Sequence, residues 1–200
     1  MTAREFVKAG ARAAAHVVVF PAVVSFVVRA RVMDADRALQ ATSQWMAMIP
    51  GLTGQYLRRA FLSHALAECH PTAVIEHGTT FARAGSRIEA NVYVGVRCHL
   101  GLVHLERDVL VASGVHIPSG ANTHNIDEVQ VPIREQGRGE RLVRIGAGAW
   151  IGERAVIMAD VGADAVVGAG AVVTKAVPAW AVSAGVPARV LRRRNLGAAV

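Results

Sequence analysis

IGAGAWIGERAVIMADVGADAVVGAGAVVTKAVPAWAVSAGVPARVL, running from Ile145 to Leu191, is the stretch that decides the fold. Ile151 and Ile157 are followed, after a contraction of two residues, by Val161, Val167 and Val173, so an apolar side chain returns every six positions. Small residues return with it four places on, at Ala155, Ala165 and Ala171. A strand alternates at two and a helix repeats at roughly 3.6, so neither generates this interval. One short strand plus one corner does, and each such unit buries its apolar residue only by stacking on the coil beside it. Three units to a coil make a triangular prism with coils about 4.8 Å apart.

The interval extends upstream. Ile75 and Phe81, then Ile88, Val94 and Leu100, then Leu105, Val111 and Ile117 keep it, with single-residue slips between groups. A mainly β solenoid is therefore expected over residues 70–194, with 195–200 as a tail. Composition agrees, because 52% hydrophobic but only 5% aromatic residues, with 19 Gly, suit stacked small and branched side chains rather than a core built around rings.

The interval fails once, over residues 118–144, where PSGANTHNIDEVQVPIREQGRGERLVR is polar and carries two Pro and three Gly. A long irregular excursion in a regular domain marks function or disorder. His124 lies in its first half, and a neutral imidazole is the side chain suited to taking a proton near neutral pH. Asp127 or Glu128, just beyond it, could hold the ring in one tautomer or stand free in solvent.

Residues 1–69 read differently. No charge falls within AAAHVVVFPAVVSFVV, from Ala13 to Val28, between Arg12 and Arg29. This run is shorter than the roughly 20 residues of a bilayer span, and Pro21 is expected to kink a helix there. An interfacial or re-entrant anchor fits, with Arg4, Lys8, Arg12, Arg29 and Arg31 meeting anionic headgroups. A helix packed within the protein's own oligomer competes with that reading. A signal peptide is disfavoured, since Val27-Val28-Arg29-Ala30-Arg31 offers a poor cleavage site. Two helices should follow, the first capped by Asp34 or Asp36 and stopped by Pro50-Gly51. The second carries Arg58 and Arg59, placed to snorkel along lipid or to face water on an ordinary amphipathic helix.

A formal charge of +7 predicts attraction to anions. The basic residues are dispersed and stacking platforms are few, which argues against nucleic acid. Cys69 and Cys98 are too few for a disulfide framework and form no CxxC, so both are expected buried in a reducing compartment.

The repeats from His70 to Arg194, and above all the block Ile145 to Leu191, resemble the hexapeptide-repeat acyltransferases, whose fold is a left-handed parallel β-helix. SQWMAMIPGLTGQYLRRAF is similar, more loosely, to N-terminal segments of polysaccharide-biosynthesis O-acetyltransferases in that family. The resemblance implies a homotrimer with acetyl-CoA as co-substrate in clefts between subunits, and no further cofactor. It implies acetyl transfer to a sugar or glycan hydroxyl in cell-surface polysaccharide or glycolipid biosynthesis. His124 would be the general base of a direct transfer in a ternary complex, with Asp127 beside it. Trp150 and Gly152 would meet the thioester end, Ala169, Thr174 and Lys175 the pantetheine, and Arg189 and Arg192 the phosphates, unless RVLRRR merely solubilises a chain end. Val186 stands where many relatives have Asn.

His99 and His104 are expected at the acceptor pocket or a subunit interface. Their spacing is also similar to that of zinc carbonic anhydrases built on this fold, yet no convincing third ligand accompanies them, so no metal is expected. The implied location is cytoplasmic, peripheral on the inner face of the membrane. A non-catalytic, membrane-anchored trimeric scaffold is the alternative reading.

Overall fold

The computed structural model describes residues 3–137 and 139–194, with side chains from Phe6 onward; the expected tail 195–200 lies outside the described residues. Strands of two to five residues stack into three sheets, each one face of a triangular prism. The first face stacks Glu68–Cys69, Arg87–Ile88, Val103–Leu105 and Val143–Ile145. The second stacks Val74–Ile75, Tyr93–Val94, Leu110–Val111, Trp150–Ile151, Val166–Val167 and Ala181–Ala184, closed by the antiparallel Arg189–Arg193. The third stacks Thr80–Phe81, His99–Leu100, His116–Ile117, Val156–Ile157 and Val172–Val173. Every other pairing is parallel, as a solenoid requires.

The six-residue interval is the interior of this prism. Ile88, Leu105 and Ile145 form one column, Ile75, Val94, Val111, Ile151 and Val167 a second, and Phe81, Leu100, Ile117, Ile157 and Val173 a third, all buried. Full burial of each such side chain contributes about 1.5–3 kcal/mol, which offsets the ordering of its short unit. Two corners turn through left-handed backbone. Asn91, Asp108, Gly148, Asp164 and Trp180 do so at one, and Gly78, Arg97, Gly114, Arg154 and Gly170 at the other.

The third corner, between the third and first faces, is where the chain leaves the prism after Ile117. It rejoins at Val143, which is buried and pairs with Val103, so the regular coil resumes before the irregular sequence ends. The stretch Leu142-Val143-Arg144-Ile145 already alternates, and that two-residue period was masked by the charged residues around it.

Three helices precede the prism: α1 (Ala3–Val32), α2 (Ala35–Ala47) and α3 (Gly51–Ala65). Asp34 caps α2 by accepting from the Asp36 amide. The edge of the third face is covered by α2, whose Ser43 Oγ accepts from Phe81 N at 3.0 Å and whose Asp36 accepts from Ala84 N at 2.8 Å. Arg58 on α3 does not snorkel to a surface. It is buried, and its guanidinium donates to the carbonyls of Ile75 at 3.0 Å, Met46 at 3.2 Å and Ile49 at 2.5 Å, tying α2 and α3 to the first coil.

The interruption expected at Pro21 does not occur, since α1 runs through it as one helix. Proline removes one donor, and packing along the helix outweighs that single loss. Ala15, Val19 and Phe26 are buried, Phe26 edge-on to Phe61 of α3 with ring centroids 5.8 Å apart. Val17, Phe20, Val24 and Val28 face outward on the opposite side. Phe6–Val32 is long and apolar enough to cross a membrane by length and composition, and only 17% of its apolar window is buried.

Candidate active site

The excursion between Ile117 and Val143 is closed by its own polar groups. At its base, Arg141 N donates to Ser119 O at 2.8 Å, and the Arg141 side chain meets Asp160 at 3.0 Å. Gln136 organises the middle, since its amide donates to the Glu128 and Val131 carbonyls at 2.7 Å while its Oε1 accepts from Glu128 N. Asn125 bridges to the returning limb through Gln136 O at 2.9 Å and Gly137 O at 3.3 Å.

His124 is carried on this frame, exposed and without a hydrogen-bond partner among the described residues. The expected bond from Asp127 to its ring is not made. Asp127 points to solvent, and Glu128 is engaged through its backbone by Gln136.

His99 and His104 do not share a face. His99 stands outward on the third face, where Thr80 Oγ1 lies 2.9 Å from its Nδ1 and His116 lies 5.9 Å away between ring centroids. Burial, His116 and Arg83 together hold His99 below its ordinary pKa, so it stays neutral at pH 7. On the first face, His104 Nε2 meets Glu89 Oε1 at 2.7 Å, and Glu89 also accepts from Arg107 N. The two rings therefore cannot ligate one ion, and no group of three metal-binding side chains occurs among the described residues. His116 escaped the sequence reading, although its separation of one coil from His99 could have revealed it.

The residues expected to hold the thiol co-substrate fall along the second face and the prism's C-terminal end. Trp150 projects outward half exposed and is followed in register by Val166, Val182 and Arg192. At about 4.8 Å per strand, this places Trp150 and Arg192 roughly 15 Å apart on one face. Gly152 and Ala169 stack at the adjoining corner, where backbone approaches closely enough that a Cβ on Gly152 would lie 2.5 Å from Ala169 N. Thr174 is exposed beside Lys175, and Lys175 joins Arg189 around a depression of about 290 Å³ at the open end.

Ser183 also lines that depression. It occupies the interior column one coil above Val167, and its hydroxyl is buried without a partner among the described residues. A serine where the six-residue interval calls for an apolar residue was the available signal.

The family described as the hexapeptide repeat of succinyl-transferase matches residues 85–118 and 142–175, two blocks that flank the excursion. A probable acetyltransferase of Mycobacterium tuberculosis is 28% identical over 193 residues, covering 78% of this chain and 63% of that protein. The chain thus spans a little under two thirds of that relative's length. The galactoside O-acetyltransferase of Escherichia coli is 29% identical over 190 residues, covering 82% of this chain and 91% of that one. Among solved structures, a galactoside acetyltransferase in complex with coenzyme A superposes with a TM-score of 0.59 at 22% identity, over 85% of this chain and 91% of that one. The stacked columns, the single excursion and this superposition give the chain the left-handed parallel β-helix fold of the acetyltransferases it is similar to, and the hexapeptide-repeat match covers two blocks of its coils.

Proposed function

We propose that this chain is an acetyl-CoA-dependent O-acetyltransferase acting on a sugar hydroxyl, with His124 as general base. It works as a homotrimer, held at the inner face of the cytoplasmic membrane by α1. One observation carries the reading. The excursion bearing the exposed imidazole of His124 leaves the corner between the third and first faces, while Trp150 and Arg192 lie on the second face, opposite that corner. Corner and opposite face of one prism do not meet, whereas a cyclic trimer sets the excursion of one copy against the second face of its neighbour. The galactoside relative favours a sugar acceptor, and the outward apolar side of α1 favours one at a membrane, on a glycolipid or a growing polysaccharide.

In this arrangement the pantetheine lies past Trp150 and over the small residues Gly152 and Ala169, beside Thr174. Lys175, Arg189 and Arg192 meet the phosphates. His124 takes the acceptor's hydroxyl proton as the oxygen attacks the thioester carbonyl carbon. The new C–O bond forms, and backbone N–H groups hold the tetrahedral oxyanion. The C–S bond then breaks, and the departing thiolate takes the proton back from the imidazolium. Ester and free thiol result, with His124 neutral again. Asp127 has no assigned part.

Transfer of labelled acetyl to a panel of saccharides tests this. His124→Ala should lower kcat by about 10²–10⁴-fold, with acetyl-CoA affinity unchanged by tryptophan fluorescence. Equal turnover by variant and parent would end the assignment of His124. A parent that binds acetyl-CoA yet acetylates no acceptor would point to the scaffold reading instead.

A further inference from the structure

Between α1 and α3 lies a cluster of arginine and histidine side chains that the transfer reaction does not use. Arg12 and His16 of α1 and Tyr56, Arg59 and Ser63 of α3 line one cleft. Arg12 Nε is sealed from solvent with no hydrogen-bond partner among the described residues. The Arg59 guanidinium lies 4.7 Å over the Tyr56 ring, and its hydrogen bond to Ala73 O is long at 3.4 Å. His16 Nδ1 faces His64 Nε2 at 3.1 Å.

Among the described residues, no carboxylate acts on Arg59 or His16. The charges acting on Arg59 come from Arg12, Tyr56 and Cys69, and those on His16 from His64 and Arg59. Burial pushes the Cys69 thiol up to about 12, so it brings no negative charge either. Uncompensated, half-buried guanidinium groups with spare N–H donors form a receptor for an oxyanion. The cleft is continuous through His16 with an apolar groove of about 500 Å³ lined by Val17, Phe20 and His64. Arg12, His16 and Phe20 follow one another four residues apart, so cation and apolar surface share one stripe of α1.

We propose that Arg12, Arg59 and the His16–His64 pair bind the phosphate of an anionic membrane lipid, whose acyl chains run along Val17 and Phe20. The proposal rests on the reading of α1 as a membrane anchor. It adds a defined headgroup site to a helix that otherwise partitions by its apolar face and the diffuse attraction of its cations.

Sedimentation with vesicles of phosphatidylcholine, with and without phosphatidylglycerol, separates the two. The protein should bind both, and the anionic vesicles about tenfold more tightly. Arg12→Gln should lose more than the roughly fivefold that one charge contributes in a diffuse surface field. Arg31→Gln, the same charge change elsewhere on α1, should lose no more than that, and Arg12→Lys should recover part of the loss. Thermal melts confirm that each variant is folded. Equal losses for Arg12→Gln and Arg31→Gln would overturn the site, as would displacement by inorganic phosphate beyond that caused by chloride of equal ionic strength, which would make free phosphate the ligand. Equal binding to both vesicles would overturn the site and leave the anchor standing. Binding to neither would remove both.

Discussion

Arg83, on the corner between the third and first faces, holds both carboxylate oxygens of Glu140, 57 residues further along the chain. Asp36 of α2 meets the same guanidinium at 3.6 Å. The first turn of α2, the first coil and the returning limb of the excursion are thereby joined through one partly buried network. The hydrogen bonds that Arg83 donates to Glu140 raise its pKa above the ordinary value, so the guanidinium stays charged at every accessible pH.

Arg83→Gln is expected to release the excursion while leaving the prism folded. A pair of this exposure is worth about 1 kcal/mol, or roughly 2–4 °C in Tm for a chain of this size. If His124 acts from a positioned loop, kcat/KM should fall by about 10–100-fold, because small displacements of a catalytic group cost heavily. Melting curves, initial rates and the speed of tryptic cleavage within residues 119–141 measure the three effects separately. Faster cleavage at unchanged kcat/KM would show that order in the loop is unrelated to turnover.

Gly152→Ala tests the close approach of successive coils. Its Cβ would meet Ala169 N at 2.5 Å and Val167 O at 2.8 Å, both backbone atoms that cannot rotate away. Overpacking of this kind costs about 1–3 kcal/mol. A drop in Tm of several degrees is expected by calorimetry, and an unchanged Tm would mean that the coils can separate locally.

The interior of the prism was legible because it is a repeat: Ile151, Ile157, Val167 and Val173 lie in columns that the six-residue interval alone assigns. The break in that interval located the excursion as well. What the interval could not show was anything depending on which face an outward residue occupies. His99 and His104 sit five apart in sequence yet on different faces, because a corner intervenes at Gly101-Leu102. Arg58 was misread for a related reason. Helical periodicity gives a stripe, but three carbonyls supplied by the end of α2, the turn after it and a strand distant in sequence decide that the charge is buried.

Arg58→Met is accordingly expected to destabilise the chain by about 2–4 kcal/mol. The methionine fills much of the volume, but the carbonyls of Ile75, Met46 and Ile49 lose their donor, and each buried group left unpaired costs roughly 1–3 kcal/mol before water re-enters. Because the same contacts join α2 and α3 to the first coil, hydrogen exchange should rise first in those helices and the strand Val74–Ile75. Stability within error of the parent would show that the guanidinium is matched by an apolar side chain of similar size.

Stability should also depend on pH through His99. Its folded pKa lies below the ordinary value of 6.5, chiefly from burial, then from His116 and Arg83. Between the folded and unfolded values the unfolded chain binds more protons, so stability rises with pH across that window. The contribution is therefore fully present above about pH 6.5 and is lost as pH falls through the folded value. His16 is shifted the same way by burial, His64 and Arg59, and adds to the slope. Tm measured from about pH 8 down to about pH 5 should decline, and His99→Gln should flatten the decline in part, since Gln keeps a hydrogen bond to Thr80 without taking up a proton. A slope identical in parent and variant would mean that His99 titrates alike in the folded and unfolded chain.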